Sequence, residues 1–144
     1  MFLGEKVNIN CAEITLLEPN LLLLQYKSDY EVELKDVLEV EKAFIELSNN
    51  GSIYCLMDTS GRFNNYTIEA QKFLAEKASI VQENKIKGSA IVIDNLPNRL
   101  LARFFSQFYK PKFPMKIFSN SQDGLKWLKH LKHKKSLPEY SERL

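Results

Sequence analysis

Five consecutive residues, Asp58-Thr59-Ser60-Gly61-Arg62, concentrate most of the chemistry this sequence offers. They supply a carboxylate, two hydroxyls, a conformationally permissive glycine and a guanidinium. They close the nearly continuous apolar run Ser52–Asp58 and come just before a helix expected to open at Thr67. In open α/β sheets ligands bind outside the carboxyl ends of the strands. Backbone N–H groups near a helix start favour an anion there, and a phosphorylated hydroxyl would reorganise such a loop. Asp, Thr, Ser and Gly are also the residues an ordinary strand-to-loop turn uses to satisfy its own backbone. Asp94 ends a second apolar run in the same way. The two carboxylates are then either a pair or two turn caps.

A second concentration is electrostatic. Residues 1–109 carry eleven Lys/Arg against fifteen Asp/Glu, net −4, whereas residues 110–135 carry eight Lys and one Asp, net +7. Helical spacing puts Gly124, Trp127, Leu128 and Leu131 on one face of the last helix. Lys126, Lys129, His130 and His133 fall on the other, with Lys132 near the boundary. That cationic face suits an anionic partner such as nucleic acid, membrane headgroups or an acidic protein. Lysines near a helix C-terminus equally complement its macrodipole. No nucleic-acid recognition fingerprint accompanies the lysines, so nucleic acid is not the expected partner. His130 and His133 are spaced i, i+3, but no carboxylate or cysteine adjoins them, and no metal site is expected.

Cys11 and Cys55 sit in apolar runs without C-x-x-C spacing and read as buried reduced thiols. Two such thiols fit a reducing compartment. No charged start with an apolar core opens the chain, and the longest apolar run, Leu21 to Leu24, is far short of a membrane span. A cytoplasmic protein that is not integral to a membrane is expected. No G-x-S-x-G, P-loop, H-E-x-x-H or dinucleotide fingerprint appears. No enzyme, no catalytic residue and no cofactor are expected.

The elements that position these residues follow from periodicity. With 144 residues, 44% hydrophobic and 26% charged, the chain is the size and balance of one globular domain. The domain is expected over 1–133, with a polar tail over 134–144. Glu13–Leu17 and Leu21–Tyr26 flank Glu18-Pro19-Asn20 and predict an antiparallel hairpin. Leu34 to Asn49 predicts a helix with Leu34, Val37, Leu38, Phe44 and Ile45 on its inner face. It is stopped by Asn49-Asn50-Gly51. Ser52–Asp58 and Gly88–Asp94 read as buried strands. Thr67–Asn84 reads as one helix capped by Thr67. Pro97 opens a third helix to about Tyr109 with Leu100, Leu101, Phe104, Phe105 and Phe108 inward. Met115–Phe118 is a last strand, and Asn120 or Ser121 caps a fourth helix. The order β-β-α-β-α-β-α-β-α gives an α/β fold, a single mixed, mostly parallel sheet with flanking helices.

Met57-Asp58-Thr59-Ser60-Gly61 resembles the Asp-Ser/Thr-Ser-Gly signature of STAS domains, the SpoIIAA-like anti-sigma-factor antagonists. Ala90-Ile-Val-Ile-Asp94, Arg99-Leu-Leu-Ala-Arg103, Lys110-Pro-Lys-Phe-Pro-Met-Lys-Ile-Phe118 and Gly124-Leu-Lys-Trp127-Leu128 resemble a SpoIIAA-like branch related in shape to SEC14-type lipid-binding domains. The resemblance implies a bacterial regulatory module that acts through protein–protein interaction. It implies a kinase or regulator as partner and Thr59 as phosphoacceptor. The chain departs from the family where Arg62-Phe63-Asn64-Asn65-Tyr66 intervenes before the helix. The alternatives are a lipid or small apolar ligand held near Phe104, Phe105 and Phe108, and an anionic surface bound by the lysines. A homodimer is expected through an exposed edge at Leu21–Tyr26.

Overall fold

The computed structural model of the chain describes residues 3–27, 31–60, 65–96, 99 and 112–134. The chain opens with β1 (Lys6–Asn8), β2 (Ala12–Glu18) and β3 (Leu21–Tyr26), paired antiparallel in turn. Asn20 closes the second hairpin at φ 69°, in the left-handed region asparagine tolerates. Its side-chain amide donates to the Ser52 carbonyl at 2.7 Å. A two-residue strand β4 (Glu31–Val32) leads into α1 (Leu34–Leu47), then β5 (Ile53–Asp58) and a second short strand, β6 (Asn65–Tyr66). α2 (Ile68–Lys72), one π-helical turn (Phe73–Lys77) and α3 (Ser79–Gln82) precede β7 (Ile86–Val92). β8 (Met115–Phe118) and α4 (Ser121–Lys134) complete the described chain.

The main sheet has six strands in the order β1-β2-β3-β5-β7-β8. β3, β5, β7 and β8 are parallel neighbours, with Cys55 facing Leu22 on one side and Ser89 on the other. β4 and β6 form a separate parallel ladder. Because side chains alternate across a strand, the sheet feeds two cores. Ile14, Leu22, Leu24 and Cys55 pack against Val37, Val40, Phe44, Ala70 and Ile80 of the α1–α3 layer. Leu21, Tyr54, Leu56, Ala90 and Val92 pack against Leu128 of α4. Gly88 and Gly124 let α4 settle close. A Cβ at Gly124 would stand 2.9 Å from Leu56 Cδ1, and one at Gly88 2.9 Å from Leu131 Cδ1.

This is the mixed, mostly parallel α/β sheet expected, with corrections of detail. β1 was not expected: it is three residues long and mostly exposed, so it leaves little apolar signal. β3 is interior, bonded to β2 and β5, so Leu21–Tyr26 offers no edge for a dimer; β1 and β8 are the edges. On α1 the buried face is Asp36, Val37, Val40, Ala43, Phe44 and Leu47, rotated from the expected one, and Leu38 is 46% exposed. Asp36 turns inward because its Oδ2 accepts the Glu33 N–H at 2.9 Å, in a reciprocal capping box. The helix expected over Thr67–Asn84 breaks at Ala78, whose backbone is extended (φ −59°, ψ 139°). Glu41 of α1 supports that break. Its Oε2 accepts from Ser79 Oγ at 3.2 Å and from Ile80 N at 3.3 Å, so a neighbouring helix supplies the carboxylate that opens α3. Thr67 caps α2 as expected, accepting the Ala70 N–H at 3.1 Å. Of the helix expected over 97–109 only Arg99 is described, helical with its N–H donating to the Asn95 carbonyl at 3.1 Å; the rest, with Phe104, Phe105 and Phe108, lies outside the described residues, as does 135–144. No helix among the described residues is long and apolar enough to cross a membrane.

Candidate functional site

β5 and β7 run side by side in parallel, Asp58 opposite Val92, so the loop after β5 and the chain after β7 leave the sheet at one rim. α4 begins at that rim, after β8. The side chain of Asp58 points to the α4 face of the sheet, the same face as Leu56 and Tyr54.

The Asp58 carboxylate is a junction. Its Oδ1 accepts from Ser60 N at 2.9 Å and from Ser60 Oγ at 2.5 Å, closing a tight Asx-type turn. Its Oδ2 accepts from Ser121 Oγ at 3.3 Å, the first residue of α4. Asn120 holds that helix end in place, its Oδ1 accepting the Asp123 N–H at 2.8 Å. One carboxylate therefore ties the loop after β5 to a helix 63 residues further along.

Thr59 is held differently. Both its N–H, at 3.0 Å, and its hydroxyl, at 2.6 Å, donate to the carbonyl of Val92 at the end of β7. The hydroxyl is thereby turned toward the seam between two strands. Asp58, Thr59 and Ser60 come together as the sequence suggests; Gly61 and Arg62 lie outside the described residues. Asp94 is exposed on the same rim.

The return of the loop is anchored too. Tyr66 of β6 donates its hydroxyl to the hydroxyl of Tyr26. The two rings meet edge to face at 5.7 Å and 86°. Burial pushes both phenols well above their ordinary value. Cys11 and Cys55 are free and buried, as expected. Burial, reinforced by Asp36 and Glu39, pushes the Cys11 thiol up to about 12, and burial raises Cys55 as well. The connection between β5 and α2 is thus fastened at both ends, by Thr59 to β7 and by Tyr66 to the core.

The lysine-rich helix is less of a patch than its sequence suggests. Lys132 Nζ donates to Glu18 Oε1 at 2.8 Å and to the Pro19 carbonyl, and its side chain is only 15% exposed. Lys129 stands 3.8 Å from the other Glu18 oxygen. The Lys132 hydrogen bond, aided by the charges of Lys132, Lys129 and His133, holds the Glu18 carboxyl below its ordinary value. These two lysines tie α4 to the β2–β3 turn; Lys132 is thereby shielded, whereas Lys126, Lys129, His130 and His133 of the expected patch are exposed. Sequence reasoning missed both Glu18 and Ser121 as site residues. Glu18 read as part of a turn and Ser121 as a cap, and only the fold brings each to its partner. Among the described residues no group of three or more His, Cys, Asp or Glu is placed to hold a metal ion.

The model of a domain of unknown function, DUF7793, matches residues 15–132. The chain belongs to the DUF7793 family. No curated protein matches it. Among solved structures, the DUF7793 chain is similar to an uncharacterized protein of the DUF3478 family with a SpoIIAA-like fold from Shewanella loihica PV-4. The TM-score is 0.57 at 16% identity, over 87% of this chain and 99% of that one. The DUF7793 chain therefore has a SpoIIAA-like fold.

Proposed function

We propose that this chain is a non-enzymatic, STAS-like regulatory module of the bacterial cytoplasm that works by binding another protein. Its switch is phosphorylation in the loop Asp58–Ser60, with a protein kinase as the upstream partner. The observation that carries this reading is the Asp58 junction. A charge added beside it acts at once on the loop and, through Ser121, on the start of α4. Phosphorylation adds about −1.5 to −2 charges at pH 7, and next to a carboxylate such a charge disrupts by repulsion.

Association rather than catalysis is favoured by the placement of the histidines. His130 and His133 lie nine and twelve residues along α4 from Ser121. At 1.5 Å per residue that is about 13 Å or more from the Asp58 junction. The carboxylate is committed to hydroxyl and amide donors, with neither imidazole beside it to make a proton-relay pair.

The test is the intact mass of the protein isolated from its native cells across growth conditions. A species heavier by one phosphoryl group, converted to the lighter one by a phosphatase, is expected. A single unmodified mass under every condition overturns the proposal.

A further inference from the structure

We propose that Ser60, whose hydroxyl donates to the Asp58 carboxylate, takes the phosphoryl group, and that Thr59, whose hydroxyl is spent on the Val92 carbonyl, does not. This rests on the switch reading above and reverses the residue that the family resemblance implies.

The two hydroxyls are adjacent in sequence and differ in what they face. Thr59 makes two bonds to one carbonyl, through its N–H at 3.0 Å and its Oγ1 at 2.6 Å. A phosphate on Oγ1 costs the hydroxyl bond to Val92 and requires that side chain to turn out of the seam between β5 and β7, while its N–H keeps the carbonyl. An amide carbonyl is also no base: it accepts a hydrogen bond but does not take the proton when the oxygen attacks. Ser60 Oγ donates instead to a carboxylate oxygen at 2.5 Å, within the reach at which a base activates a hydroxyl nucleophile. The Ser60 N–H holds the turn through Asp58 Oδ1 at 2.9 Å, independently of the hydroxyl.

The chemistry balances with a nucleoside triphosphate held by the kinase. The Ser60 Oγ–P bond forms at the γ-phosphorus, and the bond from that phosphorus to the β-phosphate oxygen breaks. The nucleoside diphosphate leaves, and the hydroxyl proton passes to the carboxylate that already accepts it and from there to solvent, restoring the Asp58 anion. The phosphorylated Ser60 can no longer donate to Asp58, and its charge repels that carboxylate. The bond from Ser121 Oγ, at 3.3 Å the longest of the three, is the one that repulsion breaks.

Peptide mapping of the full-length protein from native cells, as wild type, Ser60→Ala, Ser60→Thr and Thr59→Val, decides it. Phosphate is expected on Ser60 in the wild type, on residue 60 in Ser60→Thr, retained in Thr59→Val and lost in Ser60→Ala. Phosphate on Thr59, or its loss in a Thr59→Val protein that still unfolds cooperatively, overturns this inference and leaves the switch standing. Phosphate nowhere on the chain overturns the switch, and this assignment with it.

Discussion

Replacing Lys132 by methionine removes the ammonium and keeps most of the apolar stem. Lys132 has two acceptors, Glu18 Oε1 at 2.8 Å and the Pro19 carbonyl. The Lys132 and Glu18 side chains are 15% and 26% exposed, so the pair is neither fully solvated nor buried. Exposed ion pairs contribute about 0.2–1 kcal/mol, and partial shielding places this one at the upper end, about 1 kcal/mol. For a chain near 150 residues, that lowers Tm by about 2–4 °C. The pH dependence carries a sign. Glu18 is held below its ordinary value of 4.5 in the folded state. Its contribution is therefore complete above that value and is lost as pH falls through the lower folded value. The wild type should lose the Lys132–Glu18 bond in acid, whereas Lys132→Met has only the longer Lys129–Glu18 pair at 3.8 Å to lose. Urea unfolding followed by fluorescence of Trp127, which packs on Phe118 at 5.7 Å, reads the docking of α4 directly. The gap between the two proteins should be widest near neutral pH. Below the Glu18 transition it should narrow to the part supplied by the Pro19 carbonyl. A gap that stays constant from pH 7 to pH 3, or none at pH 7, would refute the reasoning.

Thr59→Val deletes one bond to Val92 and leaves that carbonyl its Thr59 N–H, so a loss of about 1 kcal/mol, with no orphaned acceptor, is expected in denaturant unfolding. Gly124→Ala gains about 1 kcal/mol in helix propensity but puts a Cβ 2.9 Å from Leu56 Cδ1, in a core where overpacking costs about 1–3 kcal/mol. A lower Tm is expected, and an unchanged or higher one would show that Leu56 has room to turn. Glu41→Ala strips the carboxylate from Ser79 Oγ and Ile80 N, and faster amide exchange at 79–82 with the sheet unaffected should follow. Cys11 and Cys55 should resist a thiol reagent at pH 8 until denaturant is added, because burial raises both thiols and shields them.

The sequence announces this fold wherever structure is local. Thr67 and Asn120 are caps that act within three residues, and both hold. The left-handed Asn49 and Asn50 end α1 as that Asn-Asn-Gly run requires. Ile53–Asp58 is legible because a strand covered on both faces is apolar nearly throughout, whereas β7 begins at Ile86 and ends at Val92, two residues earlier at each end than the Gly88–Asp94 run; Lys87 masks its start. What failed to show depends on a distant partner. Ala78 stands in a stretch of regular helical spacing, and the break there is stabilised by Glu41, far back in α1. Lys132 counted as a member of a cationic face because Glu18, 114 residues earlier, leaves no mark at position 132. The loop itself is intermediate. Its composition gave the place, whereas the division of labour between Thr59 and Ser60 depends on a carbonyl of another strand.

The central claim is that charge placed at the Asp58–Ser60 turn is felt at the start of α4. Amide hydrogen exchange of the wild type and Ser60→Glu tests it most directly, read at residues 121–126 with β3 as an internal standard. Loosened protection at 121–126 in the variant, with β3 unchanged, is predicted. Equal protection of that helix start in both proteins would contradict the account.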